Sequence, residues 1–221
     1  MIERFGRIER PPAKRRSPEW TLVQGVIGAR TRTAISNAAT DRLLAEYANW
    51  EAVAKAPTRD LAGILAGQSF PVQSARRLKT CLDAIIAERG AADLRHLSNL
   101  GTQEAMAWLE TLPGVGRKIS AGVMNASTFE RRAMVIDGHH RRIMQRMGLV
   151  PAKADTARAY TALEPIIPQE WSAADIDEHH LLLKKLGQVH CRPSSMDCTA
   201  CPVRFDCETG CETGRPSGNS P

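Results

Sequence analysis

The chain has 221 residues, 43% of them hydrophobic and 24% charged, an ordinary balance for a globular protein with enough length for one large or two small domains. No apolar run approaches the roughly 20 residues of a membrane span, and residues 1–18 are arginine-rich rather than apolar, so neither a membrane protein nor a Sec-exported one is expected. Lys and Arg outnumber Asp and Glu by 30 to 24, a net charge of +6 that points to a polyanionic partner, while only 5% aromatics argue against a single-strand stacking platform.

Residues 1–18 hold six Arg or Lys against two Glu, with Pro11, Pro12 and Pro18, and read as an extended basic arm. From Glu19 the pattern is helical. Trp20, Val23, Val26 and Ile27 form one apolar stripe, and Leu43, Leu44 and Tyr47 another. Further helices are predicted near 49–55, 58–66, 71–88, 93–98 and 102–111. Within 71–88, Cys81 lies on the stripe 78, 81, 82, 85 and 86 and is expected to be a small buried hydrophobe. Alternating β-branched runs are nearly absent, so the predicted fold is all-α with short loops. Residues 214–221, rich in Gly, Pro and Ser, are expected to be disordered.

The most informative stretch is Thr111-Leu-Pro-Gly-Val-Gly-Arg-Lys-Ile-Ser-Ala-Gly-Val-Met-Asn125. A helix ends at Leu112, Pro113 follows, and Gly114 and Gly116 bracket Val115 before a second helix begins near Arg117. Glycines let the backbone come close to a ligand, and the first-turn amides of the second helix favour an anion. This pattern predicts a phosphate-binding helix-hairpin-helix, with Val115 plugging the turn and Lys118 in the first turn of the second helix. Nineteen residues after Lys118, Asp137 follows an apolar strand-like trio and starts a new helix, for which N-capping is a sufficient explanation. His139, His140, His179 and His180 lack complementary ligand spacing and are expected to cap, pack or touch phosphate.

Five of the six cysteines crowd the C-terminal region as Cys191-x6-Cys198-x2-Cys201-x5-Cys207, with Cys211 just beyond. Without a signal peptide, disulfides are a poor explanation. Four thiols at this spacing suggest a metal centre, zinc or iron–sulfur, that pins a loop too short to build its own core. Cys211, in Glu-Thr-Gly-Cys-Glu-Thr-Gly, reads as a spare thiol.

Taken in order, Leu112-Pro-Gly-Val-Gly-Arg-Lys118, Val135-Ile-Asp137-Gly-His139 and the four spaced cysteines resemble the endonuclease III family of helix-hairpin-helix DNA glycosylases, over about residues 20–207. The resemblance implies a [4Fe–4S] cluster on Cys191, Cys198, Cys201 and Cys207. It implies a six-helix barrel domain at 20–131, with the hairpin at about 107–125, and a cluster domain at 132–210 joined by the basic segment 1–19. A double-stranded DNA groove would lie between the two domains, and 211–221 would be a disordered tail. It further implies a cytoplasmic monomer that extrudes a damaged base and excises it with AP-lyase activity, with oxidised pyrimidines as the expected lesions.

 

By the same resemblance, Lys118 is the nucleophile that attacks the sugar C1′ and leaves a Schiff base, and Asp137 stabilises the positive charge that develops there. Leu112, Gly114, Val115, Gly116 and Arg117 would form the phosphate-holding hairpin, in the family often with a bound monovalent cation. His139 and Arg142 would contact DNA. Arg30 stands where the family commonly has a glutamine that fills the gap left by the flipped base, and Gly138 stands where it has a hydroxyl residue. Phe70, in Ser69-Phe70-Pro71, would be a second wedge into the duplex. Arg32, Arg141, Lys184 and Lys185 complete the cations expected to face the groove. A glycosylase of the same fold that does not cut, acting on alkylated or otherwise modified bases, is the alternative. A non-catalytic DNA-binding or redox module is a third reading, against which Lys118 and Asp137 both argue.

Overall fold

The structure, a computed structural model, describes residues 1–213, so most of the expected disordered tail, 214–221, lies outside the described residues. The helices are α1 (Ile2–Phe5), α2 (Pro18–Ile27), α3 (Thr33–Tyr47), α4 (Trp50–Lys55), α5 (Thr58–Ile64), α6 (Pro71–Arg89), α7 (Thr102–Thr111), α8 (Arg117–Ala126), α9 (Gly138–Arg146), α10 (Thr156–Leu163), α11 (Ala173–Val189) and α12 (Glu208–Glu212). Among the described residues the only β-type pairings are two isolated bridges, Arg16 with Ser127 and Cys191 with Met196. The fold is all-α.

The chain divides into two compact units, Pro12–Ala133 and the pair of segments Met1–Pro11 and Met134–Pro221. The first holds α2 to α8. Ser17 caps α2 by accepting from the Trp20 amide at 3.2 Å, and Pro18 occupies the first turn, where its missing N–H costs nothing. The apolar stripes foreseen from the sequence face inward. Trp20, Val23, Ile27, Leu43, Trp50, Val53, Leu61, Leu65, Leu78 and Leu82 form one buried core. Cys81 is buried as well, and burial pushes its thiol up to about 12.

Residues 12–19, expected to belong with the cluster domain, fold with this unit instead. Arg15 explains the difference. Its buried guanidinium donates to the carbonyl of Asn125 at 2.7 Å, in the last turn of α8, where the helix dipole favours a cation.

In the second unit the arm is not a free basic tail. Arg7 pairs with Glu178 at 2.9 Å and Arg10 with Asp177 at 2.8 Å, and the Ile8 amide donates to Glu178, so α1 and the arm are laid along α11. Ile136, Ile143, Met144, Val150, Tyr160, Leu163, Leu183 and Leu186 form the core of this unit. Cys211 and Glu212, expected to open a disordered tail, belong instead to α12. That short helix is held by Thr209, whose hydroxyl donates to the Arg146 carbonyl at 2.9 Å.

Candidate functional site

The hairpin between α7 and α8 has the form its sequence predicts. Leu112 ends α7 in extended backbone, and the Val115 amide donates to the Leu112 carbonyl at 3.1 Å, closing the turn. Leu112 and Val115 are both buried, so they act as the plug of the hairpin rather than as an exposed contact surface. Gly114 sits at φ 82°, where a side chain would be strained. Gly116 differs: its φ of −112° suits any residue, and nothing lies within 4 Å of where a Cβ would be. The fold itself therefore does not require glycine at 116; open space at that backbone suits the close approach of a ligand.

Gly116 is also the N-cap of α8 and supplies no side-chain oxygen to the amides of the first turn. Its carbonyl accepts from Ile119 at 2.8 Å and Ser120 at 3.1 Å. Arg117 and Lys118, adjacent in sequence, have different roles. The Arg117 Nε lies 3.0 Å from Glu110 on α7, and Glu110 also accepts from the Ser120 hydroxyl at 2.6 Å. Arg117 thus braces the hairpin from within the unit. Lys118 is exposed.

In the same unit, two segments singled out from the sequence meet. The Ser69 hydroxyl donates to the carbonyl of Arg30 at 2.9 Å, joining the α2–α3 and α5–α6 connections. Arg30 is exposed and sits at φ 54°, unusual for a non-glycine residue. Phe70 is 43% exposed at the start of α6.

In the second unit, Asp137 is the N-cap of α9. Its Oδ1 accepts from the amides of His139 at 2.8 Å and His140 at 2.9 Å. The capping role foreseen from the sequence is real, and it fixes the carboxylate in one orientation. His139 packs on Gly187 of α11, where a Cβ would come within 2.5 Å of its ring. Arg142, expected to contact DNA, turns its guanidinium onto carbonyls. It donates to Cys191 through Nε at 2.9 Å and Nη2 at 2.6 Å, to Gly138 at 3.1 Å and to Gly187 at 3.2 Å. Those carbonyls lie near the end of α11 and the start of α9, and an always-charged fork is suited to gathering them.

Cys191, Cys198, Cys201 and Cys207 all line one cavity, together with the apolar side chains of Ile143, Met147 and Leu186. Among the described residues, no three potential ligands converge on a single metal ion. Arg146 donates from Nη1 to the Cys191 sulfur at 3.0 Å and to the Arg192 carbonyl at 2.8 Å. The four thiols therefore share one apolar-floored cavity, with the Arg146 cation on one sulfur, without forming a ready-made ligand set. Arg146 was not singled out from the sequence, although its spacing of four from Arg142 places both on one face of α9.

The chain belongs to the HhH-GPD superfamily of base excision DNA repair proteins, whose family model matches residues 23–169. Among its relatives is endonuclease III of Thermotoga maritima, 25% identical over 213 residues, a match that covers 94% of this chain and 92% of that protein. Protein ROS1A of Oryza sativa is 25% identical over 173 residues and 72% of this chain, which spans only 9% of that plant protein's length. A solved structure of a trapped endonuclease III–DNA covalent intermediate shares the fold, with a TM-score of 0.76 and 24% identity, covering 97% of this chain and 93% of that one.

Proposed function

We propose that this protein is a base-excision DNA glycosylase with AP-lyase activity, acting on oxidised pyrimidines in double-stranded DNA through a Schiff base on Lys118. The observation that carries the reading is the hairpin: Gly116 leaves its backbone open at the head of α8, and Lys118 follows two residues later with its side chain exposed while Arg117 is held by Glu110. A duplex backbone phosphate placed on the hairpin amides would bring a nucleotide to the lysine, and a damaged base is cheaper to extrude. A monovalent cation at the hairpin belongs to the same reading.

Lys118 must lose a proton to attack. Its neutral Nζ then forms a bond to C1′ as the C1′–N bond breaks, and the electron pair leaves with the base, which takes up a proton. Opening of the sugar ring gives the Schiff base, and loss of a C2′ proton expels the 3′ phosphate and nicks the strand. In this scheme the carboxylate of Asp137 stabilises positive charge developing at C1′. Its hydrogen bonds from His139 and His140 keep it oriented for that task.

Cys191, Cys198, Cys201 and Cys207 would hold a [4Fe–4S] cluster. When bound, such a cluster would tie the loop of 191–207 to α9 and α11 and could also exchange electrons. The chain's own residues, Arg142 and Arg146, fasten that loop at Cys191.

Borohydride trapping tests the reading. A thymine-glycol or abasic-site duplex should become cross-linked to the wild-type protein, and Lys118→Ala should abolish cross-linking and nicking while duplex affinity stays within a few-fold. Base release without trapping would replace the lyase reading with that of a glycosylase that does not cut.

A further inference from the structure

We propose that Tyr160 and His180, together with His140, are positioning residues for Asp137, an inference that rests on the lyase reading above. Val135 and Ile136 belong to no helix or strand and lead into Asp137, itself in extended backbone, so their polar groups need partners from elsewhere. Side chains from three helices meet these groups. The Val135 carbonyl accepts from Nδ1 of His140, on α9, at 3.1 Å and from Nδ1 of His180, on α11, at 2.9 Å. The Ile136 amide donates to the hydroxyl of Tyr160, on α10, at 3.0 Å.

A carbonyl oxygen only accepts, so both imidazoles carry hydrogen on Nδ1 and each is fixed in one tautomer. His140 closes the loop. Its ring holds Val135, and its backbone amide holds the Asp137 carboxylate. Val135, Ile136 and His140 are buried, with His140 only 1% exposed, so water does not compete for these bonds.

N-capping alone requires only the carboxylate and the first turn of α9. The additional bonds fix the backbone immediately before Asp137 and lock its approach from α9, α10 and α11 at once. A carboxylate that must meet charge developing on a sugar depends on such placement, because a displacement of about 1 Å can cost two orders of magnitude in rate.

Tyr160→Phe, His180→Leu and the conservative His180→Asn test this, in the full chain. Hydrogen exchange of the 134–138 peptide reads the clamp, and single-turnover borohydride trapping on an abasic-site duplex reads its consequence. Tyr160→Phe deletes one oxygen and keeps the ring in the core. We expect exchange to quicken at least tenfold in Tyr160→Phe and His180→Leu, trapping to slow by about tenfold, and the duplex Kd to stay within twofold. His180→Asn, which retains an N–H donor, should recover part of the rate. Unchanged exchange overturns the clamp, and faster exchange with a wild-type trapping rate overturns its role for Asp137. A wild-type protein that does not trap at all overturns the lyase reading, and the exchange measurement still decides the clamp.

Discussion

The Ser69 hydroxyl donates to the carbonyl of Arg30 at 2.9 Å, across 39 positions of sequence, and couples an exposed arginine in left-handed backbone to the exposed ring of Phe70. Both residues are candidate DNA contacts, and the bond links their loops. Ser69→Ala should therefore lower single-turnover excision by about three- to tenfold while lowering stability by only about 1 kcal/mol, the value of one ordinary hydrogen bond. Arg30→Gly should relieve the left-handed strain and raise stability by about 1 kcal/mol while weakening duplex binding. Chemical denaturation and fluorescence anisotropy measure the two effects separately.

Glu110 makes a second prediction. It accepts from the fully buried Ser120 hydroxyl and pairs with the partly exposed Arg117. Glu110→Ala should cost about 1 kcal/mol, chiefly through Ser120, because solvent weakens the ion pair. It should also release Arg117, which a rise in duplex affinity would reveal.

Stability should depend on pH through the second unit. Burial lowers His140 and His179 to about 4, and it lowers His180 as well. The rings of His140 and His179 lie 5.3 Å apart. Between about pH 6.5 and 4 the unfolded chain binds protons that the folded one refuses, so stability falls as pH falls through that window and is level above it. Between pH 7.5 and pH 5 the loss should be about 2 kcal/mol for each of these two histidines. Urea denaturation at both pH values checks the slope, and His179→Phe should make it shallower by about 2 kcal/mol over that range, leaving the share of His140 and His180.

The four cysteines give a fourth expectation. Purified protein should carry iron and absorb visible light, and Cys198→Ser should lower bound iron and expose the 191–207 loop to protease. A colourless, zinc-loaded preparation with an equally protected loop would overturn the cluster assignment.

Periodicity and turn chemistry were enough to locate α7, which spans Thr102–Thr111 as predicted, and the hairpin after it. They also placed Cys81 in the core and Asp137 at an N-cap, because these features depend on neighbours within a few residues. The predicted helix near 93–98 is instead a 3-10 turn at Arg95–Asn99, since apolar spacing alone does not separate short helical forms.

By itself, then, the sequence determined the all-α class, the hairpin with Lys118, the Asp137 cap and the spacing of four thiols, all of which are local patterns. Only the tertiary structure decided which charges are already spent. Arg7 and Arg10 neutralise carboxylates on α11, Arg15 closes α8, and Arg142 and Arg146 gather carbonyls and a sulfur around Cys191. The net charge of +6 counts all of these cations equally, but a guanidinium takes its role from the acceptors that distant segments bring to it, and those are set by packing rather than by position in the chain.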